Sequence, residues 1–163
     1  MKKEEFLAMS FPFSLKVDII YNYSNPSKST NLIGKDLDNE NEYKIIPYCH
    51  PLSDLTKEIE HNGEKFMPIV ELAKISWITE YVNFKFQSLK EDSVFIAFSD
   101  KKNVFGYDSN AQSFFGGLDG KPCSVVNQLQ LFQKLIEWHF DIAGLIEKGE
   151  AIDVNTLPEN PYK

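Results

Sequence analysis

Arginine is absent from this 163-residue sequence: all seventeen basic residues are lysine. The chain therefore lacks the planar fork that grips phosphate, carboxylate or guanine bidentately, and any anion would be held by ammonium groups, hydroxyls, amides and backbone N–H groups. Basic residues are also in the minority. The net charge of −7 argues against nucleic acid as the main partner, since a phosphate backbone calls for a basic surface. Cysteine is scarce, with only Cys49 and Cys123, and without a clear leader peptide these two point to a reducing compartment. Phe6 to Leu15 is moderately apolar after Lys2 and Lys3, but Pro12 interrupts it and no small-residue cleavage site follows, so secretion is not expected. Long apolar runs are missing too, and none approaches the ~20 residues that a membrane-spanning helix requires.

What is present reads as one domain, 1–163, of a size that buries roughly 70% of the surface its unfolded chain exposes. The apolar fraction of 42% and charged fraction of 25% are ordinary for a globular protein and exclude global disorder. The most informative stretch is QLFQKLIEWHFDIAGLIEKGEAIDVNTLPENPYK from Gln130 onward. At 100° per residue, Ser124 to Lys148 shows two apolar stripes: Leu129, Phe132, Ile136, Phe140 and Ala143, then Leu131, Leu135, Trp138, Ile142 and Leu145. This predicts a long helix, apolar over more than half its circumference, that starts near Ser124, stops at Gly149 and needs covering on two sides. The predicted fold is α+β, a mostly antiparallel sheet packed against that long C-terminal helix, with two or three short helices.

Along the rest of the chain, Lys3 to Met9 suits a short helix, and Leu15 to Tyr23 alternates as a half-buried strand. A polar loop is predicted over about 24–42, rich in Ser, Asn, Asp and Lys. Tyr43 to Tyr48 is strand-like. Ser53 caps a predicted helix carrying Leu55 and Ile59 that stops at Asn62-Gly63, and Pro68 opens another through Ile75. A meander follows: Tyr81 to Gln87, a central strand Val94 to Phe98, a turn at Asp100–Asn103, and Val104 to Tyr107. Ala151 to Leu157 is strand-like and gives way to an extended tail at about 155–163.

Three groups of residues carry chemical interest. Glu137, His139 and Asp141 are metal-ligand types, but on a helix His139 projects about 160° from Glu137. The expectation is a core histidine hydrogen-bonded to a carbonyl, with Glu137 and Asp141 solvated. Cys49-His50 pairs a thiol with an imidazole, yet neighbours on an extended segment point to opposite sides and no third orienting group is identifiable. They read as a buried cysteine and a helix-leading histidine, and His61 as a helix C-terminal residue. No catalytic residue, metal ligand or cofactor is assigned. The third group is Gly116, Gly117, Gly120, Lys121 and Ser124, a Gly-rich turn before the predicted helix. Its spacing departs from a P-loop, with Phe115 and Pro122 at key positions, and Gly-Gly and Asp-Gly are ordinary turn chemistry. It is nonetheless where a small anion would bind, on backbone N–H groups and Lys121, with Tyr107 or Phe115 stacking on an attached base.

Three segments, MKKEEFLAMSFPFSLKV, HPLSDLTKEIEHNGEKFMPIVELAKIS and LIEWHFDIAGLIEKGEAIDVNTLPENPYK, resemble small uncharacterised proteins encoded by phages and prophages of Bacteroidetes gut bacteria. The resemblance covers under half of the chain and implies a setting, a phage product in the cytoplasm of a bacterial host, rather than a reaction. The expected function is therefore a non-enzymatic accessory protein that binds a host protein or a small anionic, nucleotide-like ligand, as in counter-defence. Neither nucleic acid nor membrane is an expected partner, and self-association is left open. The alternatives are a nucleotide-directed hydrolase or transferase and a structural or virion-associated protein.

Overall fold

The structure, a computed structural model, describes residues 1–21, 30–31, 43–76, 87–91, 93–99 and 103–163. They form two compact units: Met1–Pro51 with Leu135–Pro161, and Leu52–Lys134 with Tyr162–Lys163.

The first unit opens with α1 (Lys3–Ser10), whose start is fastened by the Lys2 N–H donating to the Glu5 carboxylate at 2.9 Å. Its Phe6 and Leu7 are buried. A 3₁₀ turn, Phe11–Phe13, leads through Ser14 at φ 57° into β1 (Lys16–Tyr21). Leu15, Val17 and Ile19 are buried there while Lys16, Asp18 and Ile20 are half-buried, the period of two that the sequence shows. This strand pairs antiparallel with β2 (Thr30–Asn31) and with β3 (Tyr43–Cys49), from Val17↔Pro47 to Tyr21↔Tyr43. The Tyr48 hydroxyl donates to Asp18 at 2.7 Å. A short parallel strand that follows Gly149 in the chain, Ile152–Asp153, flanks the other side of β3. Apart from Thr30 and Asn31, the predicted polar loop at 24–42 lies outside the described residues.

The second unit begins with a 3₁₀ turn, Leu52–Thr56, then β4 (Ile59–His61) and β5 (Glu64–Phe66). The predicted helix to Asn62 is thus replaced by a hairpin. Asn62 and Gly63 have φ values of 52° and 79°, and two successive positive φ values make the tight turn whose twist suits a hairpin. Helix α2 (Pro68–Ile75) forms where Pro68 predicts it and lies against the next two strands but one, described below. An antiparallel meander follows: β6 (Gln87–Glu91), β7 (Val94–Ser99), β8 (Asn103–Asp108), β9 (Ser113–Leu118) and β10 (Lys121–Cys123), in spatial order β10-β9-β8-β7-β6. Strand β8 is central, with β7 beside it, and α2 packs on these two. Except for Gln87 and Asn103, the predicted strand at 81–87 and turn at 100–103 lie outside the described residues.

One face of this sheet is a run of aromatic rings. Phe95, Tyr107 and Phe114 share a register row and are buried, as is Phe105. Tyr107 and Phe114 rings lie 4.9 Å apart, and Phe132 meets both edge-on at 6.0 and 5.1 Å.

The long C-terminal helix does not form. Helix α3 (Gln128–Glu137) has ten residues and begins beyond Ser124. His139 at φ 58° ends it: the His139 N–H donates to Ile136 O and the Phe140 N–H to Leu135 O, both at 2.9 Å. These are the two bonds of a Schellman stop, with His139 in the left-handed position usually held by glycine. Gly144, at φ 67°, breaks the expected helix a second time. Gly149, expected to stop that helix, instead closes the turns of 142–148, with its N–H donating to Ile146 O and that of Glu150 to Leu145 O. The helical stripes overstated burial at Leu129, which is 71% exposed. Beyond β11 (Ile152–Asp153), the expected extended tail begins as a 3₁₀ turn, Val154–Thr156, and Tyr162 near its end is buried.

Candidate functional site

In the first unit the buried polar side chains gather where β3 ends. Cys49, His50, His139 and Asp141 are all buried. Parallel pairing of His50 with Phe140 brings them together: the His50 N–H donates to His139 O and the Asp141 N–H to His50 O, each at 2.9 Å. The His50 ring lies 5.5 Å from that of Phe140. Asp141, expected on a solvated helix face, is instead turned inward, and its carboxylate accepts from the N–H groups of Leu145 and Ile146 at 2.8 Å. It serves as the anchor for a turn. Burial pushes the Cys49 thiol well above its ordinary range, and the Asp141 charge adds to the rise. A thiol held protonated in this way is a poor nucleophile, so the cluster is suited to holding strands together rather than to attack on a substrate. His61 is not a helix end. It is a buried strand residue whose ring sits 5.7 Å from that of Tyr162.

The residues predicted to cradle an anion are all in the second unit, but they are divided. Gly116 and Gly117 lie inside β9, paired with Phe105 and Val104 on one side and with Cys123 and Pro122 on the other. In a strand flanked on both sides the backbone N–H groups are spent on the ladder. Only Asp119 and Gly120, with φ values of 49° and 76°, form the turn, a two-residue hairpin connection beside exposed Lys121. Tyr107 is buried in the aromatic face, and its phenol is pushed up to about 12 by burial first and by Asp108 second. Phe115 lies over Gly106, where an added Cβ would come within 2.2 Å of its ring. The ring thereby covers backbone that glycine leaves open. Ser124 is exposed and precedes α3 by four residues.

What the sequence did not bring forward is the surface leading into α3. From Pro122 to Gln133 the exposed residues are Pro122, Ser124, Val126, Leu129, Gln130 and Gln133. None is charged, in a chain that is one-quarter charged. Val126 and Leu129 are 85% and 71% exposed. The segment behind them is fixed by Gln128, whose side chain accepts from Phe114 N–H at 2.9 Å and donates to Phe114 O at 2.6 Å, and by Asn127, which donates to Ile75 O at 3.2 Å. The apolar residues are thus presented from a braced turn. The lack of charge within this segment is legible in GKPCSVVNQLQLFQ, where only Lys121 is charged, but a helix running from Ser124 to Lys148 counts Leu129 among the core residues.

Among the described residues no group of three or more His, Cys, Asp or Glu side chains is arranged to hold a metal ion. No helix of the described residues is long and apolar enough to cross a membrane. Comparison with protein-family models, curated proteins and solved structures gives no match.

Proposed function

We propose that this chain is a phage-encoded accessory protein that binds a host protein in the bacterial cytoplasm, and that the uncharged surface from Pro122 to Gln133 is its contact face. The observation that carries this reading is the exposure of Val126 and Leu129 within a strip free of charge. Protein contact surfaces are depleted of charge at their centres, and two large apolar side chains on a braced backbone lose little conformational freedom on docking. The phage setting rests on the resemblance of the three segments quoted above. Interference with a host defence protein is the concrete form of this proposal.

The test is affinity capture from host lysate with the wild-type chain and with a Val126→Asp, Leu129→Asp double variant. A stoichiometric partner retained by the wild type and lost by the variant, with the circular dichroism of the two chains alike, is the expected result. A partner retained equally by both would move the contact face elsewhere.

A further inference from the structure

The turn between β4 and β5 contains Asn62-Gly63, the single Asn-Gly pair in the sequence. Both residues are exposed, and nothing lies within 4 Å of where a side chain on Gly63 would sit. Nothing beyond the turn itself therefore crowds the side of Gly63. The ladder behind it has only three pairs, Ile59↔Phe66, Glu60↔Lys65 and His61↔Glu64, in a sheet of two strands. A hairpin of that size opens readily, which lets Asn62 and Gly63 sample backbone conformations other than that of the closed turn. We propose that Asn62 is a site of spontaneous covalent modification, converting to aspartate and isoaspartate, and that the isoaspartate form releases Tyr162 from the hairpin.

The chemistry needs only water. The Gly63 amide nitrogen gives up its proton and attacks Cγ of Asn62, and the side-chain nitrogen leaves as ammonia, closing a five-membered imide. Water then opens the imide at one of its two carbonyls. Opening at the side-chain carbonyl restores the backbone and leaves aspartate, whereas opening at the backbone carbonyl routes the chain through Cβ and Cγ and leaves isoaspartate. One water is consumed, one ammonia is released and no electrons are transferred.

The two products differ in consequence. Aspartate keeps a two-residue turn, and the same chain builds such a turn from Asp119-Gly120 with φ values of 49° and 76°, close to the 52° and 79° of Asn62-Gly63. Isoaspartate lengthens the turn by one methylene, which a two-residue connection cannot absorb without losing its register. What depends on that register is the docking of Tyr162: its carbonyl oxygen accepts the Asn62 N–H at 2.6 Å, and its ring packs against His61. Either product also adds a negative charge next to Glu60 and Glu64 on the hairpin.

The experiment ages the full chain in warm, mildly alkaline buffer and follows it by peptide mapping, with isoaspartate located by methyltransferase labelling. The Asn62→Asp and Asn62→Gly variants are treated in parallel. The expected result is that most new acid and isoaspartate map to Asn62. The isoaspartate fraction should lose hydrogen-exchange protection at the residue 62 amide, while fresh Asn62→Asp keeps it and Asn62→Gly shows no conversion in this peptide. Conversion spread over other asparagines with Asn62 intact would overturn the modification site. Isoaspartate at Asn62 with protection unchanged would overturn the release of Tyr162.

Discussion

Individual residues in this chain are held by their neighbours in ways that single substitutions expose. Gly106 is glycine because Phe115 occupies the space above it, so Gly106→Ala should cost roughly 1–3 kcal/mol by forcing the ring aside. In a Phe115→Ala background that penalty should largely vanish, and a double-mutant cycle measured by urea denaturation reports the coupling. His139 offers a sharper test, since a helix interior favours alanine over glycine by about 1 kcal/mol whereas the left-handed conformation reverses the order. His139→Gly should therefore be more stable than His139→Ala, both having lost the same ring. Equal or opposite stabilities would return His139 to a helix. Tyr107 provides a pH dependence. Its phenol keeps its proton in the folded state up to about 12, while the unfolded chain releases it near 10, so folding stability from this group is intact below pH 10 and is lost as pH rises from 10 to 12. The loss is at most about 1.4 kcal/mol per pH unit. Alkaline unfolding of Tyr107→Phe, followed by circular dichroism, should begin at higher pH than that of the wild type.

At the scale of elements, the three described α-helices end differently: α1 runs on into a 3₁₀ turn, α2 ends at extended Ser76, and α3 ends at left-handed His139. Beyond α3, residues 138–149 have positive φ at three places, His139, Gly144 and Gly149, and the first of these turns the chain so that Phe140 pairs with His50. Gly144 has open space where a Cβ would go, so Gly144→Ala should cost about 1–2 kcal/mol from backbone conformation alone. Phe140 is fully buried, and Phe140→Ala should cost roughly 3–5 kcal/mol in chemical denaturation. A loss below about 1 kcal/mol would mean that the pairing with His50 leaves the ring outside the core. Two hairpins use the left-handed conformation as well: Asn62-Gly63 and Asp119-Gly120 both supply two positive φ values in the tightest connection that antiparallel strands allow.

At the scale of the whole molecule, a chain of net charge −7 carries no charge from Pro122 to Gln133, the segment that leads into α3. The exposed, uncharged strip from Pro122 to Gln133 should tolerate substitution in the isolated protein, because surface changes usually stay within about ±0.5 kcal/mol. Val126→Asp with Leu129→Asp should thus leave the thermal midpoint nearly unchanged while abolishing partner capture. With a net charge of −7 per chain, binding of a neutral apolar partner should depend only weakly on salt, which titration calorimetry at two ionic strengths would check.

The sequence alone determined the α+β class, the alternation of β1 and the Pro68 start of α2, because each depends on local periodicity or on the backbone preference of one residue type. Only the tertiary structure decided the rest. Leu129 to Leu145 reads as a helix because apolar residues at three- and four-residue spacing fit a helical face, yet Leu131, Leu135, Ile136, Phe140 and Leu145 are buried by a ten-residue helix followed by turns, and Leu129 is left exposed. What selected the second arrangement is a long-range pairing, the backbone of His50 with that of His139 and Asp141, and no local pattern announces a partner ninety residues away. The candidate site followed the same division. The Gly-rich stretch is legible as turn chemistry, but whether Gly116 and Gly117 offer their N–H groups to a ligand or to a neighbouring strand depends on β8 and β10 lying on either side of them. The exposure of Val126 and Leu129 likewise depends on where α3 begins, which is set by the bonds of Gln128 and Asn127 to Phe114 and Ile75.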